Sequence, residues 1–145
     1  MARTSTTSVT VQWGDCDPAA IVFYPKYFYW FDSASHALFD RLLEPKAEML
    51  QRLGIIGFPL AEASARFLRP SRVGQAIEIE SGIVSCSEKR FTVAHRCTRD
   101  GELLLEGQEV RFVGRVDPAD PRRLRAVPLP AELLNAFGLG GANGG

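Results

Sequence analysis

The stretch from Pro25 to Leu42 limits what this chain can fold into more than any other. Proline is favoured in the first turn of a helix, where a missing N–H costs nothing, so the helix is expected to start close to Pro25. From there Tyr27, Phe31, Ala34, Leu38 and Leu42 recur at spacings of four and three, a helical stripe. Phe28, Tyr29, Trp30, Ala37 and Phe39 fill much of the remaining circumference. A helix that is apolar on most sides is buried on most sides. It must be wrapped by a sheet, or lie between a sheet and a partner subunit. Ser33, Ala34, Ser35 and Ala37 leave room for another backbone to come close on one side.

The rest of the chain supplies that sheet. Ser8 to Trp13 alternates polar and β-branched residues and predicts a strand with Val9, Val11 and Trp13 on one face. Pro45 opens a second helix, Lys46 to Leu53, with Met49, Leu50 and Leu53 inward and Gly54 at its end. Leu60 to Leu68, bracketed by Pro59 and Pro70, is expected to be extended. Ile77, Ile79, Ser81 and Ile83 then alternate with Glu78, Glu80 and Gly82, and Phe91, Val93 and His95 with Thr92, Ala94 and Arg96. Asp100-Gly101 is a strong hairpin signal, and Leu103 to Val116 gives the return strand, with a bulge expected at Gly107. Arg122 to Val127 adds a short pairing, and Pro130 to Phe137 a terminal helical turn. The order predicts an α+β fold, one domain over residues 1–137 followed by a loose glycine-rich tail at 138–145.

Composition narrows the function classes. Lys+Arg and Asp+Glu both number 17, so the overall field offers no reason to expect a nucleic-acid or membrane partner. No apolar run approaches the roughly 18 residues of a membrane span, and the N-terminus lacks the apolar core of a signal peptide. Three cysteines without a CxxC fit free thiols in a reducing, cytoplasmic setting. There is no GxSxG elbow, no HExxH and no glycine-rich phosphate loop. His36 and His95 are too few for a histidine-based metal site, and no metal or separate cofactor is expected.

Chemistry concentrates just before the long helix, in Trp13-Gly-Asp-Cys-Asp-Pro-Ala-Ala-Ile-Val-Phe-Tyr-Pro-Lys-Tyr27. An Asp before Pro often only makes an Asx turn, which is the plain reading of Asp17 ahead of Pro18, while Asp15 reads as a cap that holds the loop. Asp17 has apolar and aromatic residues on both sides and a helix N-terminus close in sequence. Free N–H groups at that helix end favour an oxygen that gathers negative charge. A carboxylate facing such an end is a constellation for acyl transfer, with Asp17 attacking a carbonyl or activating a water.

The same residues resemble the signature of the 4-hydroxybenzoyl-CoA thioesterases, which runs Gly-Asp-Cys-Asp-Pro-Ala-Gly-Ile-Val-x-Tyr-Pro-Asn-Tyr. Weaker similarity continues through Gly57-Phe58-Pro59, Ser-Glu-Lys-Arg-Phe91 and Arg-Leu-Arg-Ala-Val-Pro-Leu-Pro-Ala131, covering most of residues 8 to 137. The resemblance implies a hotdog fold, a long central helix wrapped by a curved antiparallel sheet, and hydrolysis of an aromatic acyl-CoA such as 4-hydroxybenzoyl-CoA. It implies that Asp17 is the catalytic carboxylate and that the backbone N–H of Tyr24 polarises the thioester oxygen. Asp32 falls near the far end of the family's acyl pocket, where it would meet a ring hydroxyl; otherwise it is an exposed helical Asp. Phe23, Tyr24, Tyr27 and Phe28 are candidates to line that pocket. Lys89 and Arg90 fall on a turn that holds coenzyme A phosphates, and Arg122, Arg123 and Arg125 form a second basic cluster of similar use. The expected partners are the acyl-CoA substrate and further copies of the chain, in a homotetramer built as a dimer of dimers. Two alternatives stay open: a short-chain aliphatic acyl-CoA thioesterase, and a non-catalytic acyl-CoA-binding module. Ala20 and Lys26 depart from the family's Gly and Asn.

Overall fold

A computed structural model describes residues 3–139, so 140–145 of the expected tail lie outside the described residues. Strand β1 (Thr4–Thr10) leads through a 3-10 turn, Trp13–Asp15, to helix α1 (Pro25–Leu42). Helix α2 (Lys46–Leu53) follows and ends at Gly54, whose φ of 72° is the left-handed conformation that favours glycine. Strands β2 (Leu60–Phe67), β3 (Ala76–Cys86), β4 (Arg90–Arg99), β5 (Glu102–Asp117) and β6 (Asp120–Val127) come next, and α3 (Ala131–Ala136) closes the described chain. The sheet runs β1-β3-β4-β5-β2, with β6 paired to the far end of β5. Every pairing is antiparallel. Asp100 and Gly101, both at positive φ (52° and 80°), make the tight β4–β5 turn that the sequence signals.

α1 lies along the concave face of this sheet, and its predicted stripe is the buried one: Tyr27, Phe31, Ala34 and Leu38 are buried, together with Trp30, Ser35 and Phe39. Tyr29 is the aromatic left outside, at 68% exposure. The arrangement is the hotdog fold that the resemblance implies.

The core forms two apolar clusters along α1. One packs Leu38, Phe39, Leu43 and Met49 against Phe58, Phe91, Val113, Leu133 and Phe137. The other packs Tyr27, Trp30, Phe31 and Ala34 against Val11, Ile77, Ile79, Cys97 and Leu105. Between them stand the buried polar residues Ser35 of α1 and Ser81, His95, Glu109 and Arg111 of the sheet.

Two local expectations are corrected. Trp13 does not continue the β1 face: the strand ends at Thr10, Val11 is buried, and Trp13 stands 81% exposed in the 3-10 turn. Gly14 and the bond from the Gln12 N–H to Asp15 Oδ2 (2.8 Å) bend the chain before Trp13 can face inward. Gly107 is not a bulge. It pairs in unbroken register with His95 and Ala65, and the slip falls earlier, between Cys97 and Thr98, where Leu104 is the extra residue. That slip is why Leu104 and Leu105 are both buried. Gly107 is glycine for space: a Cβ there would lie 2.9 Å from Cδ2 and Cζ of the Phe31 ring.

Candidate active site

The segment before α1 folds into a small closed loop. Cys16 and Val22 form an antiparallel bridge, the Asp17 N–H donates to the Ile21 carbonyl (3.0 Å) and the Ala20 N–H returns to the Asp17 carbonyl (2.9 Å). Four residues therefore reverse the chain, and Ala20 takes up the strain at φ 67°. The Val22 N–H donates to the Ser71 carbonyl (2.9 Å), tying this loop to the β2–β3 turn.

The two loop carboxylates have unequal partners, as expected. Asp15 is fully engaged: Oδ2 accepts the Gln12 N–H, Oδ1 is 3.2 Å from Lys26 Nζ, and its carbonyl accepts the Phe23 N–H (2.8 Å). Lys26, a cation at a helix N-terminus that the dipole disfavours, is thereby paired. Asp17 is half-buried and uses only Oδ1, which accepts the Ala19 N–H at 2.8 Å. Its Oδ2 has no partner among the described residues.

The helix end leaves one donor open. Pro25 has no N–H, the Lys26 N–H donates to the Phe23 carbonyl (2.9 Å) and the Tyr27 N–H to the Tyr24 carbonyl (3.0 Å). Tyr24, already helical at φ −54° and ψ −33°, keeps an N–H without a partner among the described residues. A helix has such orphan donors at its start, and here the sequence reduces them to the Tyr24 group at the lip of the loop.

Beside that lip runs a groove of about 360 Å³, walled by Ile21, Val22, Tyr24 and Tyr27 on one side and Phe67 to Pro70 on the other. Phe67 is its aromatic centre, with ring centroids 6.3, 5.9 and 6.4 Å from Tyr24, Tyr27 and Phe28. Tyr27 is buried, Phe28 half-buried, and Phe23 exposed with its ring edge-on to Tyr24. Phe67 and Arg69 went unremarked in the sequence because the extended segment gives no alternation to say which side chains turn inward. Arg72 reaches back from the following turn, its Nη1 3.4 Å from the Ala20 carbonyl.

Asp32 lies eight residues beyond Tyr24, about 12 Å along the helix. Its carboxylate is half exposed, bonded to Arg111 Nη2 at 2.7 Å and 3.5 Å from His36 Nε2. The basic residues sit at the opposite end of α1. Lys89 ends the β3–β4 turn and Arg90 opens β4; the Lys89 carbonyl accepts the Val113 N–H (3.3 Å) and the Glu88 carbonyl accepts the Leu129 N–H (2.9 Å). Val113 pairs with Val127, and Arg125 is two residues further along β6. The structure thus brings both predicted basic clusters to one end of the sheet. Arg90 lies 3.8 Å from Glu62 and Arg122 3.2 Å from Asp120, whereas Arg123 and Arg125 are exposed. Arg125 stands directly across from Arg115, which the sequence reading missed and which strand pairing alone reveals. Like charges opposite each other weaken a sheet, and Arg115 turns its Nη2 onto the Leu53 carbonyl (2.7 Å). The three cysteines are free thiols, and burial pushes Cys97 up to about 12. No helix of the described residues is long and apolar enough to cross a membrane.

Residues 11–137 match the family described as the thioesterase-like superfamily. The chain is 32% identical over 140 residues to the 4-hydroxybenzoyl-CoA thioesterase of Pseudomonas sp. strain CBS-3, covering 92% of this chain and 97% of that protein. A crystal structure of a 4-hydroxybenzoyl-CoA thioesterase mutant complexed with 4-hydroxybenzoyl-CoA superimposes with a TM-score of 0.84 at 30% identity, over 94% of this chain and 99% of the other. A gentisyl-coenzyme A thioesterase matches with a TM-score of 0.77 at 29% identity, over 92% and 99%. The similarity runs from the loop before α1 to the final helix, and the chain belongs to the thioesterase-like superfamily as a hotdog-fold acyl-CoA thioesterase.

Proposed function

We propose that the chain hydrolyses an aromatic acyl-CoA, 4-hydroxybenzoyl-CoA or a close analogue, to the free acid and coenzyme A, with Asp17 as nucleophile or general base. The observation that carries this reading is the pairing of two unspent groups in one loop: the free Oδ2 of Asp17 and the lone open N–H of Tyr24. On this reading the N–H holds the thioester oxygen as it becomes an oxyanion. As a nucleophile, Asp17 adds to the carbonyl carbon, the C–S bond breaks, the thiolate takes a proton from water, and a second water cleaves the resulting anhydride. As a base, Asp17 takes a proton from water while the oxygen attacks, then returns it to the departing thiolate. The aromatic groove supports a flat acyl group, as do the relatives' own substrates, and on this reading Asp32 meets a hydroxyl of the ring.

α1 has 18 residues and is about 27 Å long, with Tyr24 at one end and the basic residues Lys89, Arg115, Arg123 and Arg125 at the other. Antiparallel pairing of two copies along α1 brings the partner's basic end to this copy's thioester. That supports phosphate binding across a dimer interface, and a homotetramer as a pair of such dimers. Arg90 and Arg122 join the phosphate site only by releasing Glu62 and Asp120.

Steady-state rates on benzoyl-, 4-hydroxybenzoyl- and butyryl-CoA test the substrate, and faster turnover of butyryl-CoA overturns it. Asp17→Asn is expected to lower kcat about 10³-fold while equilibrium dialysis still detects bound 4-hydroxybenzoyl-CoA. Wild-type turnover by that variant refutes the mechanism. Single turnover in ¹⁸O-labelled water separates the two roles: label enters the Asp17 carboxylate only if it is the nucleophile.

A further inference from the structure

The buried polar layer has one arm that leaves the core. His95 has no exposed side-chain surface and accepts or donates at both ring nitrogens, to Ser81 Oγ (2.7 Å) and Ser35 Oγ (3.2 Å). The Ser35 hydroxyl also donates to Glu109, which is 3.1 Å from Arg111 Nε. Arg111, only 4% exposed, spends its other nitrogens on the Phe58 carbonyl (Nη1, 2.9 Å) and on Asp32 Oδ1 (Nη2, 2.7 Å). The guanidinium is thus fixed on three sides and reaches from the sheet to a carboxylate on the half-exposed flank of α1.

We propose that Glu109 and Arg111 are positioning residues for substrate specificity, holding the Asp32 carboxylate rigid so that it accepts a hydrogen bond from a hydroxyl on the acyl ring. The inference rests on the aromatic-substrate reading above. An Asp alone on a helix flank rotates freely and loses entropy when it binds a ligand. Anchored at Oδ1, Asp32 keeps Oδ2 as an acceptor in a set direction, since His36 at 3.5 Å is too far for a strong bond. Arg serves here where Lys would not, because its planar fork can bond Glu109, Phe58 and Asp32 at once. A site built to bond a substrate hydroxyl discriminates strongly against the analogue that lacks it, provided its own polar groups are fixed.

The test is the ratio of kcat/KM on 4-hydroxybenzoyl-CoA to that on benzoyl-CoA, with melting temperature as a fold check. Arg111→Lys is expected to lower the ratio about tenfold, through KM more than kcat. Glu109→Gln, near-isosteric, is expected to lower it about threefold and decides the matter alone if Arg111→Lys does not fold. In an Asp32→Asn background neither substitution is expected to lower the ratio further, a non-additivity that a purely structural cross-link does not produce. Folded variants that keep the wild-type ratio overturn the positioning role while leaving the substrate reading intact. A wild-type ratio near one overturns both.

Discussion

Gly107→Ala measures how tightly α1 is seated. The inner face of β5 at Gly107 lies under the Phe31 ring, and that ring stacks on His95 with centroids 4.7 Å apart and planes 2° from parallel. A Cβ on Gly107 would lie at 2.9 Å from two ring carbons, where carbon atoms prefer about 3.5–4.0 Å. Phe31 is 1% exposed and has no free space to retreat into. Overpacking of this kind costs about 1–3 kcal/mol. Removing a glycine from a strand returns about 0.5–1 kcal/mol through chain entropy, so the net loss is about 1.5 kcal/mol. In a chain of 145 residues that corresponds to a fall in Tm of about 5 °C. Thermal unfolding followed by circular dichroism at fixed protein concentration reads it. Gly14→Ala is the control, because nothing lies within 4 Å of its would-be Cβ, and its Tm is expected to stay within about 1 °C of wild type. If Gly107→Ala melts with the control, α1 is not pressed onto the sheet as described.

Two further predictions use the loop and the polar layer. Ala20 holds φ 67°, a conformation costing an L-residue about 1–2 kcal/mol; Ala20→Gly is expected to raise stability by about 0.5–1 kcal/mol after the entropic cost of glycine, and a lower urea midpoint than wild type contradicts the strain. For Glu109, burial alone would push the carboxyl up, but hydrogen bonds from His95, Arg111 and Ser35 and the Arg111 charge bring it down from 4.5 to about 2. Because the folded value is depressed, its contribution is complete above about pH 4.5, is lost as pH falls toward 2, and is on the order of 3 kcal/mol. Glu109→Gln is therefore expected to flatten the fall in Tm between pH 4.5 and 2, and an equally steep fall in the variant refutes the assignment.

What the sequence revealed follows from which interactions are local. The start of α1 at Pro25, its buried stripe and the turn at Asp100-Gly101 depend on residues a few positions apart, and all were legible. So were the capping of the loop by Asp15 and the absence of a donor on Pro25. Trp13 was misjudged because alternation cannot tell where a strand stops; the cap from Asp15 does that. Gly107 was misjudged because its reason is a ring 76 positions away in the chain, Phe31. The Arg111–Asp32 bond and the Arg115–Arg125 pair were invisible for the same reason. Register across the sheet creates them, and a single sequence does not state its register.

That register has a consequence for the proposed active site. The two apolar clusters hold α1 against the sheet, yet apolar contacts are non-directional and only weakly oppose a slide along the helix axis. The polar layer is different. Moving α1 by one turn, about 5.4 Å, would put Phe31 or Phe39 where Ser35 now meets His95 and Glu109, and would carry Asp32 away from Arg111. Leaving a buried ion without its partner costs about 3–5 kcal/mol, comparable to a third or more of a typical domain's stability. The network adds little net stability against an apolar core of the same shape, but it makes one axial position of α1 far better than its neighbours. The N-terminus of that helix carries the Tyr24 N–H, and the Asp17 loop is tied to the sheet through Ser71 rather than to the helix alone. Fixing α1 on the sheet is therefore what fixes the donor relative to the carboxylate.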